Sequence, residues 1–198
     1  MFDVYHNNTF FKTIKLSVPG MHNVLNALAC ISVCYEYGIE KEDIKNALLK
    51  YTGAHRRFEY VGSFNKGVSV YDDYGHHPTE ILAISDALRK KKHRQSWIVF
   101  QPHTYSRTKN LLNDFAKALL NFNHVIITDI YAAREDNTFG ISSLDLVNKM
   151  KSYGKEALYM ADFDEIIKYL KGHTIEGDIV LTLGAGTVTQ IASKIVDK

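Results

Sequence analysis

The sequence predicts an α/β protein, a mostly parallel sheet with helices on both faces, preceded by a β-hairpin and two helices. Three observations predict it. From about residue 58 onward, short β-branched and aromatic runs alternate with stretches of helical period, the pattern of successive strand–helix units. The first 50 or so residues read as two β-rich runs followed by two helical patterns. Between these regions Tyr51-Thr52-Gly53-Ala54-His55 carries no period, which places a boundary near residue 54 and divides the chain into 1–54 and 55–198.

The elements follow in order. Residues 2–5 and 10–18 flank His6-Asn7-Asn8-Thr9, a hairpin turn signal. A chain opening in mid-sheet reads as beginning inside a longer protein. Pro19-Gly20 breaks the second strand. A helix is expected from about 23 to 37, with Leu25, Leu28, Ala29, Ser32, Val33 and Tyr35 carrying its packing and Gly38 stopping it. A second helix is expected at 41–49, with Ile44, Ala47 and Leu48 on one face. Strands are then expected at 58–64, 68–72, 97–100, 125–130, 157–160 and 179–183. Helices are expected near 78–91, 106–121, 142–151, 162–170 and 188–196.

Composition excludes several classes. A chain of 198 residues with 45% hydrophobic and 23% charged content can bury a core without disulfides or a structural metal. Its net charge of +2 argues for neither a nucleic-acid nor a membrane partner. The run Lys90-Lys91-Lys92-His93-Arg94 is expected to be a solvated helix end. Cys30 and Cys34, four apart in an apolar helical stretch, are expected to be small core residues in a reducing compartment, with no metal site beside them. The N-terminus lacks the basic start and apolar run of a signal peptide, and no stretch of about 18 apolar residues is present, so the cytoplasm is expected.

Three expected strands lead directly into polar motifs: Asp72-Asp73-Tyr74-Gly75-His76-His77-Pro78, Gln101-Pro102-His103-Thr104-Tyr105-Ser106-Arg107-Thr108 and Gly184-Ala185-Gly186. Open α/β sheets bind ligands at the carboxyl ends of their strands. An Asp there can accept hydrogen bonds from ribose hydroxyls, and the histidines can bind a carboxylate or phosphate when charged or a metal when neutral; the plain alternative is a capped loop, with His77 or an upstream residue as the cap and Pro78 opening a helix. Arg107, at a helix start, can clamp a carboxylate, or Ser106 can simply cap that helix. A Ser106–His103–Asp73 triad is conceivable, but no Gly-x-Ser-x-Gly elbow supports it. The two glycines permit a tight turn close to a ligand, yet form neither a Walker loop nor a full dinucleotide fingerprint, and by themselves read as a strand-to-helix turn. Asn23 and Asn26, three apart on one helix face, could read an adenine edge, or Asn23 could be an N-cap. Arg56-Arg57 could meet polyphosphate or form surface ion pairs. Arg134-Glu135-Asp136 is expected to be a solvated loop with a weak ion pair.

As an ordered set, Gly20-Met21-His22-Asn23-Val24-Leu25-Asn26-Ala27, His55-Arg56-Arg57-Phe58-Glu59 and the 72–78 stretch resemble the ATP-dependent Mur ligases of peptidoglycan synthesis. The Phe100–Thr108 stretch, Tyr131-Ala132-Ala133-Arg134-Glu135 and Gly184-Ala185-Gly186 resemble the branch of that family that joins L-alanine to UDP-N-acetylmuramate. The related murein-peptide recycling ligases share the Asp-Asp-x-x-His-His-Pro pattern, and a non-catalytic nucleotide-binding or interaction domain of the same fold is the rival from another class. The resemblance covers essentially the whole chain. It implies that residues 1–54 end a central ATPase-like domain and that 55–198 form a Rossmann-like C-terminal domain.

The resemblance also implies site residues. His22, Asn23, Asn26, Arg57 and Asp73 would bind ATP: the asparagines at adenine, Arg57 at the phosphates or ribose, and Asp73 at the ribose hydroxyls. His76 and Arg107 would hold the alanine carboxylate, with Tyr74 and His103 lining that pocket; this chain has Thr104 where some relatives have Arg. No catalytic residue and no metal ligand would lie in this chain. The implied cofactors are ATP and Mg2+, and the implied partners are UDP-N-acetylmuramate and L-alanine. The implied reaction runs through an acyl phosphate. No Gly-x-x-x-x-Gly-Lys-Ser/Thr loop occurs in the sequence, so the chain alone is expected to be inactive.

Overall fold

The computed structural model describes residues 1–18 and 20–196, and within α1 the side chain of His22 lies outside the described set. The expected break at Pro19 lies outside it too. The chain forms two compact units that divide between His55 and Arg56.

In the first unit, strands β1 (Phe2–His6) and β2 (Thr9–Ile14) pair antiparallel. Asn7 and Asn8 turn the chain with φ of 49° and 62°, the paired positive angles of a tight hairpin that Asn tolerates. Helix α1 (Met21–Glu36) begins earlier than its periodicity suggests. Gly20, at φ 108°, takes the cap position, so Asn23 sits inside the helix and is not its N-cap. Helix α2 (Lys41–Lys50) buries Ile44 and Leu48 against Val4, Phe11, Ile14, Ala27 and Ile31.

Two expectations about α1 fail. Leu25, Ala29, Ser32, Val33 and Tyr35 are exposed in this unit, and the buried side is Ala27 and Ile31, with Leu28 and Cys34 half-buried. The helix is apolar on more than one face, so periodicity alone cannot choose the face that packs. Cys30 is likewise exposed and is not a core residue.

In the second unit six strands are ordered β3-β4-β8-β5-β6-β7. They are β3 (Glu59–Phe64), β4 (Val68–Asp73), β5 (Ser96–Phe100), β6 (His124–Ile127), β7 (Leu158–Tyr159) and β8 (Ile179–Leu183). Only β3–β4 is antiparallel; every other pairing is parallel. Period-2 alternation sends Ile98, Phe100, Leu181 and Leu183 to one face and Trp97, Val99 and Val180 to the other. Helices α3 (Pro78–Arg89), α5 (Leu112–Leu119) and α6 (Ser143–Ser152) cover the first face. Helices α7 (Phe163–His173) and α8 (Thr189–Ile195) cover the second. All five residues of β5 and of β8 are buried, as central parallel strands require.

The sequence runs one helix from 106 to 121. The structure divides it at Leu111 into α4 (Tyr105–Asn110) and α5. No Gly or Pro marks the break, so the period continues across it. The strands expected at 125–130 and 157–160 are shorter, because Thr128 onward leaves β6 as a loop and β7 is a two-residue edge. Nor is the basic run wholly solvated. Arg94 makes a bidentate pair with the buried Asp178, Nε to Oδ1 and Nη2 to Oδ2 both at 2.7 Å. Among the described residues no helix is long and apolar enough to cross a membrane.

Candidate functional site

The order of strands in the second unit gathers its polar motifs. Strand β8 lies between β4 and β5, and the parallel register puts Asp73, Leu183 and Phe100 in one row. The loops opening at Tyr74, Gly184 and Gln101 therefore start side by side at the carboxyl edge of the sheet, where parallel sheets bind ligands. Gln101 ties two of them: its Oε1 accepts the Val188 N–H at 3.0 Å.

The four residues expected to bind alanine meet there. The rings of His76 and His103 have centroids 5.6 Å apart, and Tyr74 packs edge-on to His76 at 5.5 Å. Arg107 places Nη1 3.4 Å from His103 Nδ1. Tyr131, from the loop after β6, lies 5.6 Å from His103. Burial first, and the charges of Arg107 and His76 next, push the His103 imidazole below its ordinary pKa, while Glu135 pulls it the other way. The cluster is a half-buried concentration of nitrogen donors, chemistry suited to a carboxylate.

The 72–78 motif is also the scaffold that holds these groups. Asp72, 2% exposed, accepts Arg56 Nε at 2.8 Å, Thr182 Oγ1 at 2.5 Å and Thr189 Oγ1 at 2.9 Å. Arg56 also donates Nη2 to the Gly184 carbonyl at 2.5 Å, joining the loop after β8 to the chain before β3. Asp73 spends one oxygen on the Phe58 N–H at 2.7 Å and the other on the Gly75 N–H at 2.6 Å. Burial raises its pKa despite those two N–H groups and Arg57. A carboxylate oxygen offers two lone pairs, so each keeps one for a further donor. Arg57 is the outward member of the arginine pair. Its side chain is 54% exposed, 3.6 Å from Glu80 and 5.9 Å from the Tyr74 ring.

His77 proves to be the cap of α3, in a reciprocal capping box with Glu80, and Pro78 takes the first helical position. The same Glu80 oxygen accepts the His76 N–H at 2.8 Å, which fixes the backbone carrying the His76 ring. Burial alone would raise Glu80; the N–H groups of His76 and His77 with the charges of His76 and Arg57 outweigh it and hold the carboxyl below its ordinary pKa.

Two plain readings are corrected, Ser106 as a helix cap and Glu135 as part of a solvated loop. Ser106 is not the cap of α4. Thr104 holds that position with φ 67°, an uncommon angle for a β-branched residue. Ser106 donates its hydroxyl to Glu135 Oε1 at 2.5 Å, not to His103, so no Ser106–His103–Asp73 triad exists. Glu135 is thus more than a member of a solvated loop. The glycines after β8 approach protein rather than open space. A Cβ on Gly184 would stand 2.7 Å from the Gln101 carbonyl oxygen, and one on Gly186 would stand 2.7 Å from Tyr131 Cγ.

In the first unit, Asn23 and Asn26 line a cavity of about 370 Å3 together with apolar Leu16, Val18, Ala27 and Leu48 and with Cys30 and Cys34. Apolar walls with two amides match a planar heteroaromatic base with polar edges. The side chain of His22, the third expected contact, lies outside the described residues. Among the described residues no three His, Cys, Asp or Glu side chains gather to hold a metal ion.

Comparison with known proteins fits this geometry. The family described as "Mur ligase, glutamate ligase domain" matches residues 56–186. The chain is 48% identical over 197 residues to the UDP-N-acetylmuramate–L-alanine ligase of Caldanaerobacter subterraneus subsp. tengcongensis, covering 100% of this chain and 43% of that protein. It is also 48% identical over 190 residues to the ligase of the same name from Acetivibrio thermocellus, covering 96% and 40%. Among solved structures, the UDP-N-acetylmuramate-alanine ligase of Thermotoga maritima superposes with a TM-score of 0.76 at 29% identity, over 96% of this chain and 40% of that one. The chain thus spans about two-fifths of the length of the curated relatives it matches. A family match over more than half of the chain, on a sheet whose three central strands deliver their motifs to one edge, shows that this chain belongs to the Mur ligase family.

Proposed function

We propose that this chain is the alanine-binding portion of an ATP-dependent ligase that joins L-alanine to UDP-N-acetylmuramate in peptidoglycan synthesis. One observation carries the proposal: Tyr74, His76, His103 and Arg107, which the resemblance assigns to the alanine pocket, come together as one group, with Tyr74 at its exposed rim. The names of relatives at 48% identity agree with it.

In this reading Arg107 and His76 hold the alanine carboxylate, and His103 and Tyr74 line its pocket. Fixing the carboxylate aims the amine at the activated carboxyl of the muramate, an acyl phosphate made with ATP, and phosphate leaves as the amide bond forms. The chain's contribution is positioning, which replaces a bimolecular encounter with an oriented one. In the first unit Asn23 and Asn26, with His22, take the adenine. In the second, Arg57 reaches toward phosphate or ribose, and Asp73 offers its remaining lone pairs to ribose hydroxyls. In this reading the Mg2+ and phosphate chemistry is supplied from outside this chain, because the sequence has no Gly-x-x-x-x-Gly-Lys-Ser/Thr loop, and the chain alone is expected to be inactive.

An assay of the purified 198-residue chain for alanine-dependent ATP hydrolysis, beside its full-length parent, tests the division of labour. Activity is expected only in the parent. Robust turnover by the chain alone would contradict the reading.

A further inference from the structure

We infer that Glu135 is a positioning residue for the amino-acid substrate: its carboxylate clamps the first turn of α4 and so fixes the direction in which Arg107 points. This rests on the reading of the Arg107 cluster as the alanine-carboxylate site.

Helix α4 has only six residues, too few to be held by its own ladder of hydrogen bonds. The opening N–H groups of any helix need outside acceptors. Thr104, at the cap, provides no side-chain cap and sits at φ 67°. Glu135 supplies what is missing. Its Oε2 accepts the Ser106 N–H at 2.8 Å while its Oε1 accepts the Ser106 hydroxyl at 2.5 Å, a two-point grip on one residue. Arg107 is the next residue in the chain.

The clamp is itself anchored. Tyr131 donates its N–H to the Pro102 carbonyl at 2.8 Å, and Thr104 donates its N–H to the Tyr131 carbonyl at 2.9 Å. These bonds lace the loop after β6 to the loop after β5. The chain then turns back through Ala133, at φ 56°, and the Glu135 N–H closes the turn on the Ala132 carbonyl at 3.0 Å. Tyr131 and Glu135 therefore serve one site from one turn: Tyr131 packs beside His103, and Glu135 grips the segment that carries Arg107.

An anion at the start of a helix is stabilised there. With Glu135 in that place, an incoming carboxylate is left the side chains of Arg107, His76 and His103 and not the α4 amides. A loose α4 would leave Arg107 charged but badly aimed, and positional errors of about 1 Å can cost as much as 100-fold.

The test is a set of steady-state measurements on the full-length enzyme, with L-alanine, ATP and UDP-N-acetylmuramate varied in turn. Glu135→Ala is expected to raise the alanine KM about tenfold or more, with the ATP KM within about twofold of wild type. Glu135→Gln keeps an acceptor oxygen and is expected to raise it only about threefold. In an Arg107→Ala background, Glu135→Ala is expected to add nothing beyond about twofold, because it acts through Arg107. A general loss of structure would instead lower kcat and move all three KM values. If Glu135→Ala does not fold, Glu135→Gln and Ser106→Ala decide by the same comparison. The inference is overturned if Arg107→Ala raises the alanine KM and the Glu135 variants do not, or if the Glu135 effect persists undiminished without Arg107. An unchanged alanine KM in Arg107→Ala would instead overturn the site reading itself, and this inference with it.

Discussion

Arg107 Nη1 stands 3.4 Å from His103 Nδ1, a guanidinium beside an imidazole that burial and that same charge keep below its ordinary pKa. Both causes favour the neutral imidazole beside the guanidinium. A carboxylate arriving at the cluster would favour protonated His103 and strengthen its own hold.

This arrangement gives a signed prediction for the isolated chain. Arg107→Ala removes a cause that lowers the His103 pKa, so the value rises toward the ordinary imidazole range. Glu135→Gln removes a charge that raises it, so the value falls further. NMR titration of the His103 ring protons in the two variants measures both. Movement in the same direction would show that the charges do not face His103 as described.

Arg56 and Arg57 are adjacent in sequence and opposite in expected behaviour. The Arg56 side chain is 13% exposed and pairs with an Asp72 side chain that is 3% exposed. Arg56→Ala leaves a buried carboxylate without its cation and is expected to cost about 3 kcal/mol or more of stability. Arg57→Ala, at an exposed position, is expected to stay within about 0.5 kcal/mol. Urea unfolding followed by the fluorescence of Trp97, the single tryptophan, separates the two. In the full-length enzyme Arg57→Ala is expected to raise the ATP KM while leaving the alanine KM unchanged.

Asp178 lies at the opposite end of the sheet, just before the start of β8. Burial would raise its pKa, but the Arg94 hydrogen bonds, the Ile175 N–H and the Trp97 indole outweigh it and hold it low. A folded pKa below the unfolded value near about 3.9 gives stability that is fully present above that pH and lost as pH falls through the folded value. Arg94→Ala removes a lowering cause, so acid unfolding is expected to begin at higher pH. At neutral pH the cost is expected to be about 2 kcal/mol, less than for a fully enclosed pair, because the guanidinium is itself 41% exposed. Acid titrations of both proteins by circular dichroism check the order of the midpoints.

The βα alternation made the second unit legible, because buried parallel strands and their capped helices leave strong local signals. His77, Pro78 and Glu80 show this well: a cap, a helix-opening proline and the capping-box partner lie within four residues. What sequence could not show was contact between distant segments. Glu135 read as one charge in an acidic and basic loop, since its partner Ser106 is 29 residues away and only the folded return from β6 brings them together. Which arginine of the Arg56-Arg57 pair faces inward depends on Asp72 in β4 and on Gly184 in the loop after β8. The packing face of α1 was misread for a related reason: apolar residues occur all round the helix, and only the hairpin and α2 determine which are covered. The unusual φ of Thr104 has no sequence signal, because threonine is not a residue that favours it.

The central claim is that the Arg107 cluster holds the alanine carboxylate. Steady-state ligation by the full-length enzyme carrying Arg107→Ala tests it most directly, with the three substrates varied separately. The expected result is an alanine KM raised about tenfold to 100-fold, as for loss of a charge-assisted hydrogen bond, with the KM values for ATP and UDP-N-acetylmuramate within about twofold of wild type. An unchanged alanine KM, or equal rises for all three substrates, would contradict it.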